Sequence, residues 1–263
     1  TLDNIAALFI QPPVGAWSDR LRTPMGRRIP FIIIGAPITA VAFARGGQGW
    51  ALNRSGRRLQ RTTAGWKIDP NNPKGWLRSL VGAPDGSLWA VGDSGLILHG
   101  GGADWQIQPS PTRRALYAIQ ALPDGQAWAV GDRVILHFEQ GEWRLAAEPP
   151  MTLTAVSVDP ASGSGWAVGL NGGMARIEAS RLVGMVRPGT RDSNIYYNAV
   201  VSAGDGSAWV TDLDGRLRRF LRGTITDEFV ISHSALTAAF LSEPGRLWLG
   251  GMSGLAARFF QCE

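Results

Sequence analysis

The chain has 263 residues, of which 44% are hydrophobic and 18% are charged, and it contains 34 glycines and 11 tryptophans. This is enough apolar material for a large core, and a high glycine share is typical of a turn-rich chain of short strands. The lone cysteine, Cys262, excludes an intramolecular disulfide, and the lack of apolar runs of ~20 residues excludes a working membrane transporter. The formal charge is +5, and only two of the 26 basic residues are lysines.

Residues 1–37 differ in character from the rest of the chain. The stretch "VGAWSDRLRTPMGRR" resembles the G-x-x-x-D-R-x-x-x-x-x-G-R-R signature of major facilitator transporters, with the sugar:cation symporters as the nearest type. The positions that carry this resemblance are Gly15, Ser18, Asp19, Arg20, Gly26, Arg27 and Arg28. The resemblance covers residues 11–36 only. Three interpretations stay open for this N-terminal arm: a membrane-surface anchor, an extended arm that grips a partner, or a join between two unlike sequences.

From residue 38 onward the chain is a repeat. "PDGSLWAVGDSG" returns as "PDGQAWAVGDR", and four further segments share the pattern of turn, tryptophan and second turn. The repeat tryptophans are Trp50, Trp89, Trp128, Trp166, Trp209 and Trp248, and they are spaced by 38 to 43 residues. Six copies at this regularity indicate a stacked repeat architecture.

Each period predicts four short strands. In the third copy these are "RALYAIQALP", "QAWAVG", "RVILHFE" and "GEWRLAAEP", with a Pro-Asp-Gly turn after the first. A second tryptophan recurs in the fourth strand, at Trp66, Trp105 and Trp143. Four strands in about 40 residues is the length of one propeller blade. The predicted fold is therefore all-β, a six-bladed β-propeller of four-stranded blades over residues 38–263.

The last blade ends after its third predicted strand, so it needs a fourth from elsewhere. The stretch "IPFIIIG", residues 29–35, is apolar, β-branched and of strand length. Because a closed propeller leaves no free sheet edges, we expect this segment to close the ring as the outer strand of the sixth blade.

No group of residues predicts a reaction. His99 and His137 occupy near-equivalent places in neighbouring blades, which indicates an architectural role, and His233 lies alone. Asp85, Asp124 and Asp205 each precede a turn glycine, and turn chemistry accounts for them. Zinc-ligand spacing, a nucleophile elbow and a phosphate-binding loop are all missing from the sequence. We therefore predict a protein with no catalytic residue, no metal and no cofactor.

The turns between second and third strands are expected to share one propeller rim, and they carry both signs of charge. The rim residues are Arg54, Asp93, Asp132, Arg133, Asn171, Asp212 and Asp214. A mixed rim favours a protein partner over nucleic acid, which needs a uniformly basic surface. Residues 45–79 and a second cluster in blade five are strongly basic. The predicted partner-binding residues are Arg54, Arg57, Arg58, Arg61, Arg133, Arg216, Arg218 and Arg219. Strand alternation predicts that Arg57 and Arg61 point one way and Arg58 the other.

The segments "WAVGDSGLILHGGGADW" and "WAVGLNGG" resemble the propeller repeats of photosystem II stability/assembly factors, over residues 38–263. That family usually has seven blades, where this chain has six. The resemblance implies a periplasmic or lumenal, non-catalytic propeller that binds reaction-centre polypeptides through an arginine-rich patch. Blades five and six, with "GRLWLGGMSGLAARF", are equally similar to the sensor propellers of two-component regulators.

These patterns together favour a scaffold that docks on a membrane protein complex for assembly or support, with photosynthetic reaction-centre subunits as one such partner. An anionic lipid surface is a second partner that the basic residues would fit. Two alternatives stay open. One is a carbohydrate-active or glycan-binding propeller, and the other is the sensor domain of a signalling receptor.

Overall fold

The computed structural model describes residues 38–43, 49–53, 56–63, 65–72, 75–101, 104–179, 181–186, 195–243, 246–252 and 255–260. The N-terminal arm, its transporter-like segment and the expected closing strand at residues 29–35 lie outside the described residues, as does Arg54.

The described residues form six antiparallel sheets in chain order, and they make up a six-bladed β-propeller, as the repeat predicts. Five sheets have four described strands each, and the sixth has three. Blade 1 contains β1 (Ile38–Phe43), β2 (Gly49–Asn53), β3 (Arg58–Thr62) and β4 (Gly65–Ile68); blade 2 contains β5 (Leu77–Gly82), β6 (Leu88–Gly92), β7 (Ile97–Gly101) and β8 (Asp104–Ile107). Blade 3 contains β9 (Leu116–Ala121), β10 (Ala127–Gly131), β11 (Val134–Glu139) and β12 (Glu142–Ala147); blade 4 contains β13 (Leu153–Val158), β14 (Gly165–Gly169), β15 (Met174–Glu178) and β16 (Arg181–Val186). Blade 5 contains β17 (Tyr197–Ser202), β18 (Ser207–Asp212), β19 (Arg216–Leu221) and β20 (Thr224–Val230); blade 6 contains β21 (Leu236–Glu243), β22 (Arg246–Gly251) and β23 (Ala256–Phe260).

The first strands of the blades lie at the centre. Each of β1, β5, β9, β13 and β17 contacts the first strand of the blade that follows it. The second strands of blades 2 to 5 are buried on both faces, because the blades on either side cover them, whereas β22 of blade 6 alternates between exposed and buried residues. The core is therefore a series of apolar layers between blades rather than one central cluster.

The repeated quartet Trp-Ala-Val-Gly follows from this packing. Trp128 packs toward blade 4, and Ala129, on the opposite face of β10, packs toward blade 2. At Gly131 there is no room for a side chain, since a Cβ atom there would lie 2.0 Å from the carbonyl oxygen of Ala115. The quartet therefore places a large tryptophan on one face of the strand and a small alanine on the other. Its glycine allows the backbone of the neighbouring strand to approach closely at the strand end.

In blades 2 to 6 the residue opposite the repeat tryptophan, on the third strand, lies over its ring. His99 and His137 stack on Trp89 and Trp128 at ring-centroid distances of 3.9 and 4.1 Å. In later blades an arginine takes the same register position and lies over the indole. The six partners, in blade order, are Gln60, His99, His137, Arg176, Arg219 and Arg258. The two equivalent histidines are thus architectural, as their spacing predicts.

The tryptophan of the last blade differs from the others. The first five repeat tryptophans are at most 5% exposed, whereas Trp248 is 46% exposed. Within the described part of the chain, no helix has the length and apolarity needed to cross a membrane.

Candidate functional site: the bulge rim

A β-bulge recurs at the same place in all six blades. At the start of each first strand, one extra residue is inserted opposite the end of the second strand. The bulged residues are Thr39, Arg78, Tyr117, Thr154, Asn198 and Thr237. Bulges turn a side chain away from the regular alternation and are common at the rims of β structures and beside functional sites. The propeller thus has a bulge at the same end of each of its six central strands.

Three of the bulged side chains, those of Arg78, Thr154 and Asn198, contact the following blade. The Arg78 guanidinium lies 5.5 Å from the centroid of the Tyr117 ring. The Thr154 hydroxyl donates to the carbonyl of Tyr197 at 2.6 Å, and the Asn198 amide donates to the carbonyl of Leu236 at 3.1 Å. These contacts tie neighbouring blades together and hold the rim rigid.

The turns between second and third strands lie at this same end, as the sequence predicts. In blades 2 to 6 the first backbone N–H of that turn donates to the carbonyl that precedes the blade's first strand. One example is Asp93 to Trp76 at 2.8 Å, and another is Asp132 to Ala115 at 2.8 Å. We call this end the bulge rim. It consists of the six bulged residues, the turns between second and third strands, and the connections between blades. The opposite end carries the Pro-Asp-Gly turns and the turns between third and fourth strands, and we call it the Asp-Gly rim.

Two of the predicted rim acids are neutralised by arginines from their own blades. Arg78 forms two hydrogen bonds with the carboxylate of Asp93, at 2.8 and 3.1 Å. Asp212 is buried against Arg218, and its Oδ1 accepts hydrogen bonds from the backbone of Asp214 and Arg216. The acidic charge that the turns display in the sequence is therefore partly compensated in the structure.

The predicted partner-binding arginines divide into three groups. Arg57, Arg133 and Arg216 lie on the bulge rim, in blades 1, 3 and 5, and their side chains reach solvent. Arg61 is exposed but lies toward the far end of β3, and Arg219 covers Trp209 and pairs with Asp205 at 3.0 Å, on the Asp-Gly rim.

Arg58 and Arg218 form the third group, and both point into the protein. Arg58 is 1% exposed, lies over the Trp105 ring and pairs with Asp69 at 2.7 Å. Burial lowers the pKa of Arg58, while the charge of Asp69 opposes that shift. Arg218 is 3% exposed and pairs with Asp212 and Glu228. These two side chains stabilise their blades internally and offer no surface to a partner. The predicted strand alternation agrees with this arrangement, since Arg57 and Arg61 are exposed and Arg58 is buried.

Arg133 has an unusual backbone conformation. Its φ is +53°, in the left-handed region, where a residue with a Cβ costs about 1–2 kcal/mol relative to the ordinary conformation. The side chain is exposed, and the Arg133 carbonyl accepts a hydrogen bond from the Arg114 guanidinium at 2.7 Å. The same left-handed φ recurs at Ser94 and Asn171 in the corresponding turns of blades 2 and 4, so this conformation belongs to the turn that displays the exposed Arg133 side chain.

Sequence reasoning missed several residues that shape this rim. Arg78, Arg113 and Arg114 belong to it, as do exposed apolar side chains on its connections and turns. The exposed apolar residues of the rim are Trp76, Tyr196, Leu213 and Met252. A signal for the bulges was present, since every first strand begins with an aliphatic or aromatic residue, then the bulged residue, then Ala or Ser.

Among the described residues, no group of three or more histidine, cysteine or acidic side chains has a geometry that could hold a metal ion. The Asp-Gly rim uses its acids locally. Asp85, Asp124 and Asp205 each accept a hydrogen bond from the backbone N–H two residues later, at 2.8 to 3.0 Å. These acids close turns, as the sequence predicts.

The fold and rim define a β-propeller with a rigid, arginine-bearing end. Its fold is similar to that of a structure described as YCF48 bound to D1 peptide, with a TM-score of 0.65 and 18% identity over 86% of this chain and 77% of that one. It is also similar to an inactive H270A variant of virginiamycin B lyase from Staphylococcus aureus with quinupristin, with a TM-score of 0.65 and 16% identity over 85% of this chain and 84% of that one. At these identities the likeness shows the fold alone. No family model and no curated protein matches the chain, and none of the comparisons supports the transporter-like segment.

Proposed function

We propose that this propeller is a non-catalytic scaffold that docks on a membrane protein complex through the bulge rim. The observation that carries the proposal is the composition of that rim. It presents exposed arginines together with exposed aromatic and aliphatic side chains on turns that are fixed by backbone hydrogen bonds. Aromatic residues and arginine are enriched at the centres of protein interfaces, and a rigid surface loses little entropy when a partner binds.

A polypeptide partner fits this rim better than nucleic acid does. Its exposed arginines are interspersed with apolar residues and with acids such as Asp214, so the rim is not uniformly basic. The arginines Arg57, Arg113 and Arg133 lie in different blades, or in the connections between them, and can contact several points of a broad partner. Docking by such a surface combines electrostatic steering with a few apolar anchors.

Three observations support a membrane complex in an assembly role. The repeat resembles those of photosystem II stability/assembly factors, a structurally similar protein was captured with a D1 peptide, and the arginine-rich surface would tolerate anionic lipid headgroups nearby. On this proposal the protein works in the periplasm or lumen, and photosynthetic reaction-centre polypeptides are the first partners to test. The closing strand at residues 29–35 stays part of the proposal.

The alternatives are separated from docking by direct assays. A glycan array tests the carbohydrate-binding alternative, and incubation with quinupristin tests the chemistry that the similarity to a lyase raises. The discovery of a signalling domain in the same polypeptide would favour the sensor alternative.

The test of docking is capture from native membranes with the whole chain as bait. A second bait carries Arg57→Glu, Arg113→Glu and Arg133→Glu on the bulge rim. A matched control carries Arg144→Glu, Arg181→Glu and Arg222→Glu, three exposed arginines that flank the turns of the Asp-Gly rim. We expect the unchanged bait and the control to retain the same membrane complex, identified by mass spectrometry. The bulge-rim variant should retain at least tenfold less.

Each remaining outcome has a definite meaning. Equal loss with both variants would show that net charge, rather than the bulge rim, drives capture. Equal retention by all three baits would move the contact away from the bulge-rim arginines. If the unchanged bait retains no membrane protein, docking on a membrane complex is wrong.

A further inference from the structure

A cleft at the junction of blades 1 and 2 differs from the rest of the bulge rim. It has a volume of about 460 Å³ and is lined by the end of β4, by described residues of the connection between β4 and β5, and by the turn before β3. The lining side chains include Arg57, Ile68, Asp69, Asn72 and Trp76. A cleft of this size accommodates one or two large side chains of a bound segment.

The apolar wall of the cleft is exposed. Trp76 is 54% exposed and Ile68 is 52% exposed. Trp76 is not one of the blade tryptophans, since it matches neither the second-strand nor the fourth-strand position of the repeat. The propeller fold therefore does not explain why a tryptophan stands here. A half-exposed tryptophan beside an exposed isoleucine is the composition of an interface anchor.

The floor of the cleft is held by hydrogen bonds from both sides. The Asn72 amide oxygen accepts from the backbone N–H of Arg58 at 2.7 Å, and the Asp69 carboxylate accepts from the backbone N–H of Asn71 at 2.9 Å. The carbonyl of Trp76 accepts from Asp93, and the backbone of Leu77 donates to Gly56 at 3.2 Å. The cleft is thus formed before a ligand arrives, and this lowers the entropy cost of binding.

The charge in the cleft is positive. Asp69 is 8% exposed and paired with the buried Arg58, so its charge is compensated inside the protein. Arg57 is exposed at the cleft edge, and its backbone N–H is satisfied by the Asn53 side chain at 2.9 Å. An apolar wall beside an exposed guanidinium favours a ligand that carries an apolar group next to an anionic one.

We propose that this cleft binds an extended, acidic polypeptide segment. A large apolar side chain of the segment packs between Trp76 and Ile68, and an adjacent carboxylate meets Arg57. A recessed site walled by a hydrogen-bonded loop suits one side chain of a peptide better than the flat surface of a lipid bilayer. This inference rests on the proposed docking function, and it names the part of the bulge rim that supplies the anchor.

The test is a selection of random 12-residue peptides on the immobilised whole chain. Enriched peptides are then titrated by fluorescence polarisation against variants. Trp76→Ala removes the anchor and Arg57→Gln removes the charge. Leu145→Ala is the control, because Leu145 is 48% exposed and lies on β12, the outer strand of blade 3, outside the bulge rim. All three side chains reach solvent, so the variants are expected to fold, and thermal melting checks this.

We expect enriched peptides in which Asp or Glu neighbours Phe, Trp, Leu or Ile. Their affinity should fall at least tenfold with Trp76→Ala, severalfold with Arg57→Gln, and less than twofold with Leu145→Ala. Failure to enrich acidic–apolar peptides, or equal binding to Trp76→Ala and Leu145→Ala, would overturn the proposal. Binding of phosphatidylglycerol vesicles that depends on Trp76, without peptide binding, would also overturn it in favour of a lipid site.

Membrane capture separates this inference from the docking proposal. If Trp76→Ala retains the complex as well as the unchanged bait does, docking stands and the role of the cleft in it is wrong. If the unchanged bait retains no complex, docking itself is wrong, whatever the peptides show.

Discussion

The two rims of the propeller are made from the same repeat but use their polar residues in opposite ways. On the Asp-Gly rim, Asp85 and Asp124 bond to their own turns, and Ser87 and Gln126 continue those networks to His99 and His137 at 2.9 and 2.8 Å. On the bulge rim, arginines and apolar side chains extend into solvent above the hydrogen-bonded turns. The first rim satisfies the polar groups of its own turns, and the second keeps several arginines and apolar side chains exposed above its turns. A recognition surface needs exposed arginines and apolar side chains on turns that hydrogen bonds hold in place, and on the proposed function the bulge rim is that surface.

The largest expected difference between the rims is in the free energy of unfolding that is lost when a glycine is replaced by alanine. Gly131→Ala should lower the free energy of unfolding by about 3 kcal/mol or more, because the new Cβ would lie 2.0 Å from the Ala115 carbonyl oxygen. Gly125→Ala, on the Asp-Gly rim, meets no atom within 4 Å and should cost only about 1 kcal/mol for its positive φ of +82°. Urea unfolding of both variants gives the comparison. Equal losses would mean that the close approach on the bulge rim does not limit side-chain size.

An intermediate effect is expected from two arginines that share one backbone conformation. Arg133 on the bulge rim and Arg222 on the Asp-Gly rim both have a φ of +53°. Asn tolerates this region, and Asn171 occupies the corresponding turn of blade 4 with a φ of +56°. Replacement of either arginine by Asn should therefore raise stability by up to about 1 kcal/mol.

Membrane capture should distinguish Arg133→Asn from Arg222→Asn. We expect Arg133→Asn to weaken membrane capture and Arg222→Asn to leave it unchanged. A stability gain combined with lost capture at position 133 alone would show that strain is retained there for binding. Lost capture with both variants would contradict the division between the rims.

The smallest effect concerns the histidines on the Asp-Gly side. Burial lowers the pKa of His99 and His137, against the charge of Asp85 for the first and of Glu139 and Asp124 for the second. As the pH falls below about 6.5, the unfolded chain takes up protons that the folded protein does not. The contribution of the two histidines to the free energy of unfolding is therefore fully present above that pH. It decreases as the pH falls toward their lowered pKa values.

The matched variant for this effect comes from blade 1, where Gln60 lies opposite Trp50. The double change His99→Gln and His137→Gln should flatten the fall in melting temperature between pH 7 and pH 5. Above pH 5 the carboxylates of Asp205 and Glu228, whose pKa values are lowered, stay ionised in both states and add little. An unchanged pH profile in the double variant would exclude these histidines as the source.

Much of the fold could be predicted from the sequence because each blade repeats its own local physics. Trp128 marks a buried wedge, Asp124-Gly125 a turn, and the alternation in β3 places Arg57 and Arg61 outside and Arg58 inside. These features depend on residues close in the chain. The sequence also predicted which turns share a rim, since antiparallel blades place the turns between second and third strands at one end.

The candidate site was only partly predictable, because it depends on contacts between blades. The bulge at Arg78 re-aims that side chain toward Tyr117 in the next blade, 39 positions along the chain. Arg218 loses its surface role because Asp212 and Glu228 converge on it from the two flanking strands. Residue types and spacing thus determined a six-bladed propeller with arginine-rich sectors. Only the tertiary structure decided which arginines form internal ion pairs and which reach solvent. The reason is that the burial of a side chain depends on neighbouring strands and blades, which local alternation does not specify.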